Sequence, residues 1–338
     1  MMKVFFYIFL LLIFAIAINT SSIAYAINNA DKPNEIFLHG NLDHTLQNIN
    51  LNFTLNSGYR IDQLDWSIAG NLGNDYRNVL SELIWKDLEI FQIQFSNRTI
   101  IKDSIHFRAN VTEGWIHSGS NKDTDYNGND RTNPWSQTQN TSDDGSVLDF
   151  SFGLGYLFKF FNSRIHLTPL IGFSHHRQYL SITDGYQTIS EPIWDKQIFP
   201  APLGPFSGLN SSYKTNWLGP WLGADIAYNL TTSAQLIFTI EYHWVDYDAE
   251  ANWNLIERFE HPVSFEHNAS GNGIILKANW CSHLRHNWHL NLELGYQSWQ
   301  TASGVDRTYF SDGSIVETHL NKVTWESSSV GLGIAYQF

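Results

Sequence analysis

The sequence predicts an all-β fold, a ten-stranded antiparallel transmembrane barrel of a bacterial outer membrane, and three features predict it. The first is the C-terminus. Val330, Leu332, Ile334, Tyr336 and Phe338 alternate with Gly331, Gly333, Ala335 and Gln337, so the chain ends on a strand and an aromatic residue. A last strand that closes against the first leaves no open edge in lipid. The second is the N-terminus. Lys3, the 15-residue apolar run 4–18 and the Ala24-Tyr25-Ala26 cleavage signal read as a secretory signal peptide over 1–26, leaving one barrel domain over 27–338. That run is shorter than the roughly 20 residues a membrane helix needs. The third is the pattern beyond it, period-2 stretches separated by turns, with no helix of convincing length.

Composition agrees. Aromatics are 15% and charged residues only 16%, as an apolar outer band with aromatic girdles requires. A secreted sugar-binding β protein shares that composition. Cys281 is the single cysteine, which excludes an intrachain disulfide. The formal charge of −13 disfavours nucleic acid and favours cationic ligands. No nucleotide, flavin or haem motif is present, the scattered histidines lack metal-ligand spacing, and no cofactor or metal is expected.

Ten strands follow in order. They run over 48–69, 79–95, 104–119, 147–160, 164–183, 213–228, 234–248, 273–282, 286–301 and 322–338. Most exceed the roughly 9–11 residues a barrel strand needs to cross the bilayer, which predicts projection beyond it. Tight turns at 97–102, 162–163, 231–232 and 284–285 alternate with long polar loops at 120–146, 184–212, 250–272 and 304–321. An even count puts both termini on the periplasmic side and the long loops outside. Ten strands make a narrow, filled lumen, which argues against a general porin and for a monomer with its function on the outer rim.

Two acidic clusters stand at the predicted outer strand ends. Asp123 and Asp125 are two apart and share a face in extended chain, as do Asp246, Asp248 and Glu250. Solvated loop acids are the bland reading. The start of Asp123-x-Asp125-x-Asn127-Gly128 looks like a calcium loop, but its twelfth position is Pro134, and flanking helices are missing.

Ser81-Glu82-Leu83-Ile84-Trp85-Lys86, followed by Asp123-Thr124-Asp125-Tyr126, resembles the omptins, ten-stranded outer-membrane endoproteases of Gram-negative bacteria. Tyr213-Lys214, Pro220-Trp221-Leu222-Gly223 and Trp244-Val245 extend the resemblance over the whole mature chain. It implies a site where an Asp pair and an Asp-x-His pair activate water across the barrel mouth, with His as base. Asp123 and Asp125 fall on the first pair. Glu250 and Asn252 fall on the second, so Asn252 stands where the base is expected. Asparagine takes no proton at neutral pH, the role that suits histidine. His261 and His267, in the same loop, are the substitutes. Asp62 and Asp248 fall near the two acids that bind a basic substrate side chain. Arg177 matches a basic position of the family's lipopolysaccharide site, and Asn216 replaces a second one.

The expectation is an omptin-like outer-membrane barrel with an acidic mouth, acting in surface binding, adhesion or structure rather than catalysis. The alternatives are an endopeptidase cleaving at basic residues and a small-solute channel. The expected partners are outer-membrane lipid, lipopolysaccharide (on which activity would depend), basic peptides and host surface proteins, with no nucleic acid.

Overall fold

Alternation sustained over twenty residues can bury one face of a strand along its whole length if the sheet closes on itself. A computed structural model shows that closure; it describes residues 49–70, 77–193 and 200–338, so the signal-peptide reading of 1–26 lies outside the described residues. The strands are β1 (Ile49–Ala69), β2 (Ser81–Ile101), β3 (Ile105–Tyr126), β4 (Pro134–Thr141), β5 (Gly145–Tyr156), β6 (Phe158–Phe160) and β7 (Ile165–Ser190). They continue as β8 (Gly204–Pro205), β9 (Asn210–Asn229), β10 (Ala234–Asn252), β11 (Phe265–Arg285), β12 (Trp288–Thr301), β13 (Gly304–Tyr309) and β14 (Ile315–Gln337). Ten of them, β1, β2, β3, β5, β7, β9, β10, β11, β12 and β14, form an antiparallel ring. The first and last close it in register from Asn52↔Gln337 to Ala69↔His319, with one bulge between Ser67 and Ile68. The N–H of Phe338 donates to the Leu51 carbonyl at 2.9 Å and completes the seam.

Two of the predicted loops are corrected. Most of 120–146 and 304–321 is strand. β3 pairs with β5 from Ile105 to Trp115 and then with β4 from Ser120 to Tyr126, so β4 prolongs the wall above β5. β13 prolongs it above β12, between β11 and β14. The segments are polar because they stand above the apolar band, and polarity there marks contact with water rather than loss of the backbone ladder.

The tight turns lie at one end. Lys102 and Asp103 both have positive φ, 51° and 58°, in the three-residue loop that joins Ile101 to its partner Ile105, and the Ser104 N–H donates to the Ile101 carbonyl at 3.2 Å. Above that end the outer face is apolar, with Leu55, Ile93, Leu154, Ile171, Leu222, Ile240 and Leu332 exposed. Aromatic pairs bound this band. Phe53 meets Phe338 at 5.8 Å near the tight turns, and Phe91 stacks on Trp115 at 6.4 Å towards the other end.

Inside the band two inward glycines make room for an indole. Gly153 and Gly172 are partners across β5 and β7. A Cβ at Gly172 would lie 2.4 Å from the Trp221 ring and 2.2 Å from the Phe152 carbonyl oxygen. Gly172→Ala should therefore destabilise by roughly 1–3 kcal/mol, the usual range for overpacking. A lower temperature for loss of the compact gel band would register it, and an unchanged temperature would refute the close fit.

Candidate functional site

Inward side chains change character with height. Within the apolar band they are polar, and the guanidinium groups of Arg60 and Arg108 are ion-paired, because an unpaired charge enclosed by the wall costs several kcal/mol. Arg108 on β3 reaches Asp225 on β9 at 2.6 Å and also Glu241 on β10. Arg60 on β1 binds Asp62 at 2.6 Å and Asp149 on β5 at 2.7 Å. His176 Nδ1 lies 3.0 Å from Asp149 Oδ1.

Above these ions stands an aromatic layer. Trp299 and Trp325 stack at 5.4 Å and 12°. Trp217 joins both, at 5.9 and 6.1 Å, and Tyr247 closes on Trp217 at 4.4 Å. The layer rests on the ions below: Arg60 lies over the Trp325 ring at 5.4 Å, and His176 meets Trp299 at 4.6 Å. Further up, Trp66, Trp85, Tyr213 and Phe265 continue one buried cluster to the rim. The half of the barrel beyond the band is a packed core.

Asp123 and Asp125 sit at the top of β3, half-buried and on one face, as their spacing predicts. Burial first, then the charge of Asp125, raises the Asp123 carboxyl well above the usual range, opposed by a hydrogen bond from Trp253. Burial raises Asp125 to about 6, against a hydrogen bond from Ser81 and the charges of Arg77 and Arg258. The segment between β10 and β11 thus brings Trp253 and Arg258 to the pair, and Trp253 packs on Phe265 at 4.8 Å. The indole lies against the Asp123 carboxyl.

Both values lie above those of the unfolded chain, so the folded state holds protons the unfolded state has released. Stability from the pair is therefore complete below a pH of roughly 4 and falls as pH rises through about 6. Amides of 253–264 should exchange more slowly at pH 5 than at pH 8 after correction for intrinsic rates, and Asp125→Asn should remove most of the difference. Equal protection at both would refute the coupling.

The remaining predicted residues are scattered. Asp62 is inside the lumen, held by both oxygens on Arg60 and by Trp325 Nε1 at 3.0 Å. Asp248 is on the outer wall and accepts from Asn216 at 2.7 Å. The two acids lie on opposite faces of the wall and form no common pocket. Glu250 also points outward, 3.4 Å from Lys214 Nζ. Asn252 Oδ1 lies 2.9 Å from His261 Nδ1 on the exposed side. His267 is fully buried, 2.8 Å from the Tyr213 hydroxyl and 3.2 Å from Asp306. Arg177 is half-buried on the face that exposes Phe173 and Tyr179, opposite Asn216 in register.

Sequence reasoning missed the inward face of β10, which carries Val245, Tyr247, Ala249 and Ala251. A signal existed. Trp244 shares its parity with Asp246, Asp248 and Glu250, so an outward Trp244 places all three acids outside. It also missed Trp253 and Arg258, whose approach depends on a loop that carries no period.

The fold has a counterpart among solved structures. The solved structure of the outer membrane protease OmpT from Escherichia coli is similar at a TM-score of 0.70 and 14% identity, over 86% of this chain and 97% of that one. The translocator domain of the autotransporter NalP from Neisseria meningitidis is similar at 0.36 and 9% identity, over 96% of each chain. A major outer membrane protein from Thermus thermophilus follows at 0.30 and 10%, over 83% of this chain and 99% of that one. The family model described as Pom, Protochlamydia outer membrane protein, matches residues 54–338. No curated protein matches in sequence.

Proposed function

The chain belongs to the Protochlamydia outer membrane protein family, and from that premise we propose a sealed, non-catalytic barrel that offers an acidic outer wall to basic ligands at the cell surface. Its place is the bacterial outer membrane, and its ring of ten strands is omptin-like. The observation that carries the reading is the packed aromatic core. Trp217, Trp299 and Trp325 belong to one buried core between rim and lumen, and Glu250 and Asn252, the positions aligned with the second pair, stand on the outer side of the wall. With the tight turns periplasmic, the outward ladder Asp246, Asp248 and Glu250 stands outside the cell, just above Trp244. Basic peptides and host surface proteins are the matching partners. Arg177 would meet lipopolysaccharide phosphate from the same height.

The test uses the folded barrel with lipopolysaccharide. A quenched peptide containing Arg-Arg should remain intact, and a planar bilayer should show no steps of conductance. An immobilised Arg-rich peptide should retain the barrel at low salt. Asp246→Asn, Asp248→Asn and Glu250→Gln together should weaken retention severalfold, since each exposed charge contributes about 0.2–1 kcal/mol. Undiminished retention in the triple variant would overturn the assignment of the wall.

One observation favours endopeptidase activity as a second reading. His261 is placed against Asn252, the position the omptin resemblance gives to the base. If the peptide is cut, loss of cutting in both Asp125→Ala and His261→Ala would establish that reading in place of the first.

A further inference from the structure

We propose that the tight-turn rim of the barrel is a docking surface for anionic phospholipid, its lysines and arginines holding the headgroup phosphates. An aromatic belt runs just above this rim on the outer face. Tyr156 meets Phe158 at 5.0 Å, Trp288 meets Tyr336 at 4.8 Å, and Tyr336 meets Phe338 at 4.7 Å. Such belts stand at the level of the lipid headgroups. Two of the rim's cations share that height: Lys159 follows Phe158 directly, and Arg285 is the cross-strand partner of Trp288.

The turns are bonded to one another around the rim. The Leu157 N–H donates to the Ser104 carbonyl at 2.7 Å and the Asn229 N–H to that of Arg164 at 3.0 Å. The His283 N–H donates to Ser233 at 2.7 Å and the Gln337 N–H to Asn287 at 3.0 Å. Side chains on four separate turns are thus presented as one fixed surface.

That surface is cationic in a chain whose formal charge is −13. Lys102, Lys159, Arg164 and Arg285 are all exposed. Among the described residues they stand against two carboxylates, those of Asp103 and of the chain end at Phe338, so the rim keeps a positive sign. Protonation of His283 or His286 would only add to it. Lys159 reaches Asp103 at 3.9 Å, and among the described residues no ion pair engages Lys102, Arg164 or Arg285. The arginines can take phosphate oxygens two at a time.

Exposed apolar side chains lie between these cations. Phe161, Leu230 and Leu284 stand on three of the turns, and Phe161 is 78% exposed at a φ of 52°, where glycine or asparagine would be at ease. Cations interleaved with Phe and Leu suit a membrane interface, where phosphate and acyl chain are met together. A free phosphate ion would leave the apolar side chains in water. With the tight turns periplasmic, as read above, the lipid is the phospholipid of the inner leaflet; the binding itself does not depend on that orientation.

The experiment titrates the folded barrel in a zwitterionic detergent with phosphatidylglycerol or phosphatidylcholine of the same chains, and counts the lipid retained through gel filtration. Phosphatidylglycerol should be retained at roughly one-tenth of the concentration that phosphatidylcholine requires, or less. Lys102→Gln, Lys159→Gln, Arg164→Gln and Arg285→Gln together should abolish the preference, and Lys86→Gln with Lys122→Gln, at the far rim, should leave it intact. Phe161→Ser should weaken retention of both lipids. Equal retention by the native barrel, or a preference that survives in the quadruple variant, would overturn the proposal. Displacement of the lipid by inorganic phosphate would reduce the rim to a site for a bare anion. Sedimentation with peptidoglycan that the quadruple variant loses, without preference between the lipids, would assign the rim to the cell wall instead. Should the quadruple variant not fold, salt above about 0.5 M should remove the preference from the native barrel, and a preference that salt leaves unmoved would refute the role of the cations.

Discussion

A barrel carrying Trp299→Ala and Trp325→Ala together is expected to conduct ions where the native barrel does not. The two indoles stack at 5.4 Å and lie between the rim cluster and the polar lumen. Below them a cavity of about 60 Å³ shares Asn110, Glu241, Lys277 and Glu293 with a smaller one of about 20 Å³ nearer the tight turns. Removing both rings opens the upper end of this polar column. Each truncation should also cost about 3–5 kcal/mol, so stability must be read beside conductance. The decisive measurement is a planar-bilayer trace of variant protein still migrating as the compact gel form. Discrete current steps in the variant alone would identify the layer as the seal. Silence from a folded variant would place the block elsewhere, in the rim cluster above or at the paired charges below.

Arg108→Leu is expected to be the most destabilising single change. The guanidinium joins Asp225 of β9 to Glu241 of β10 from the far wall, and it lies over the Trp221 ring at 5.0 Å. Glu241 keeps His243 at 3.0 Å, and Asp225 keeps the Thr239 hydroxyl at 2.6 Å, but both carboxylates lose their cation. Breaking a buried pair from one side costs about 3–5 kcal/mol, because a charge stays enclosed without compensation. Removing all three groups, as Arg108→Leu with Asp225→Asn and Glu241→Gln, should recover much of the loss. Urea denaturation in detergent measures both. A single variant as stable as the parent would mean that water reaches these acids freely.

Strand positions were legible because burial in a barrel repeats every second residue. β1 was expected over 48–69 and spans Ile49–Ala69, and β10 was expected to begin at Ala234 and does. The continuation of β10 from Asp248 to Asn252 was not, since Glu250 and Asn252 read as the start of the polar loop 250–272. The ion pairs were illegible for another reason. Arg60 meets Asp149 across 89 residues and Arg108 meets Glu241 across 133, and no local pattern states which inward positions share a height. For the candidate site, the shared face of Asp123 and Asp125 followed from spacing alone. The covering of that pair by Trp253 and Arg258 did not, because it depends on the path of 253–264.

The continuation of the wall through β4 and β13 bears on how this surface can change over evolutionary time. Where strands end at the membrane, insertions and deletions in long connections remodel the exterior freely. Here the segments above the band are bonded to neighbours on both sides, so an inserted residue would shift a register and turn inward side chains out. Length variation is steered to the connections at 127–133, 253–264 and 310–314. Along the strands themselves divergence must proceed by exchanging one outward side chain for another. An immune or predatory pressure on this exterior would thus leave its record as substitutions at alternate positions.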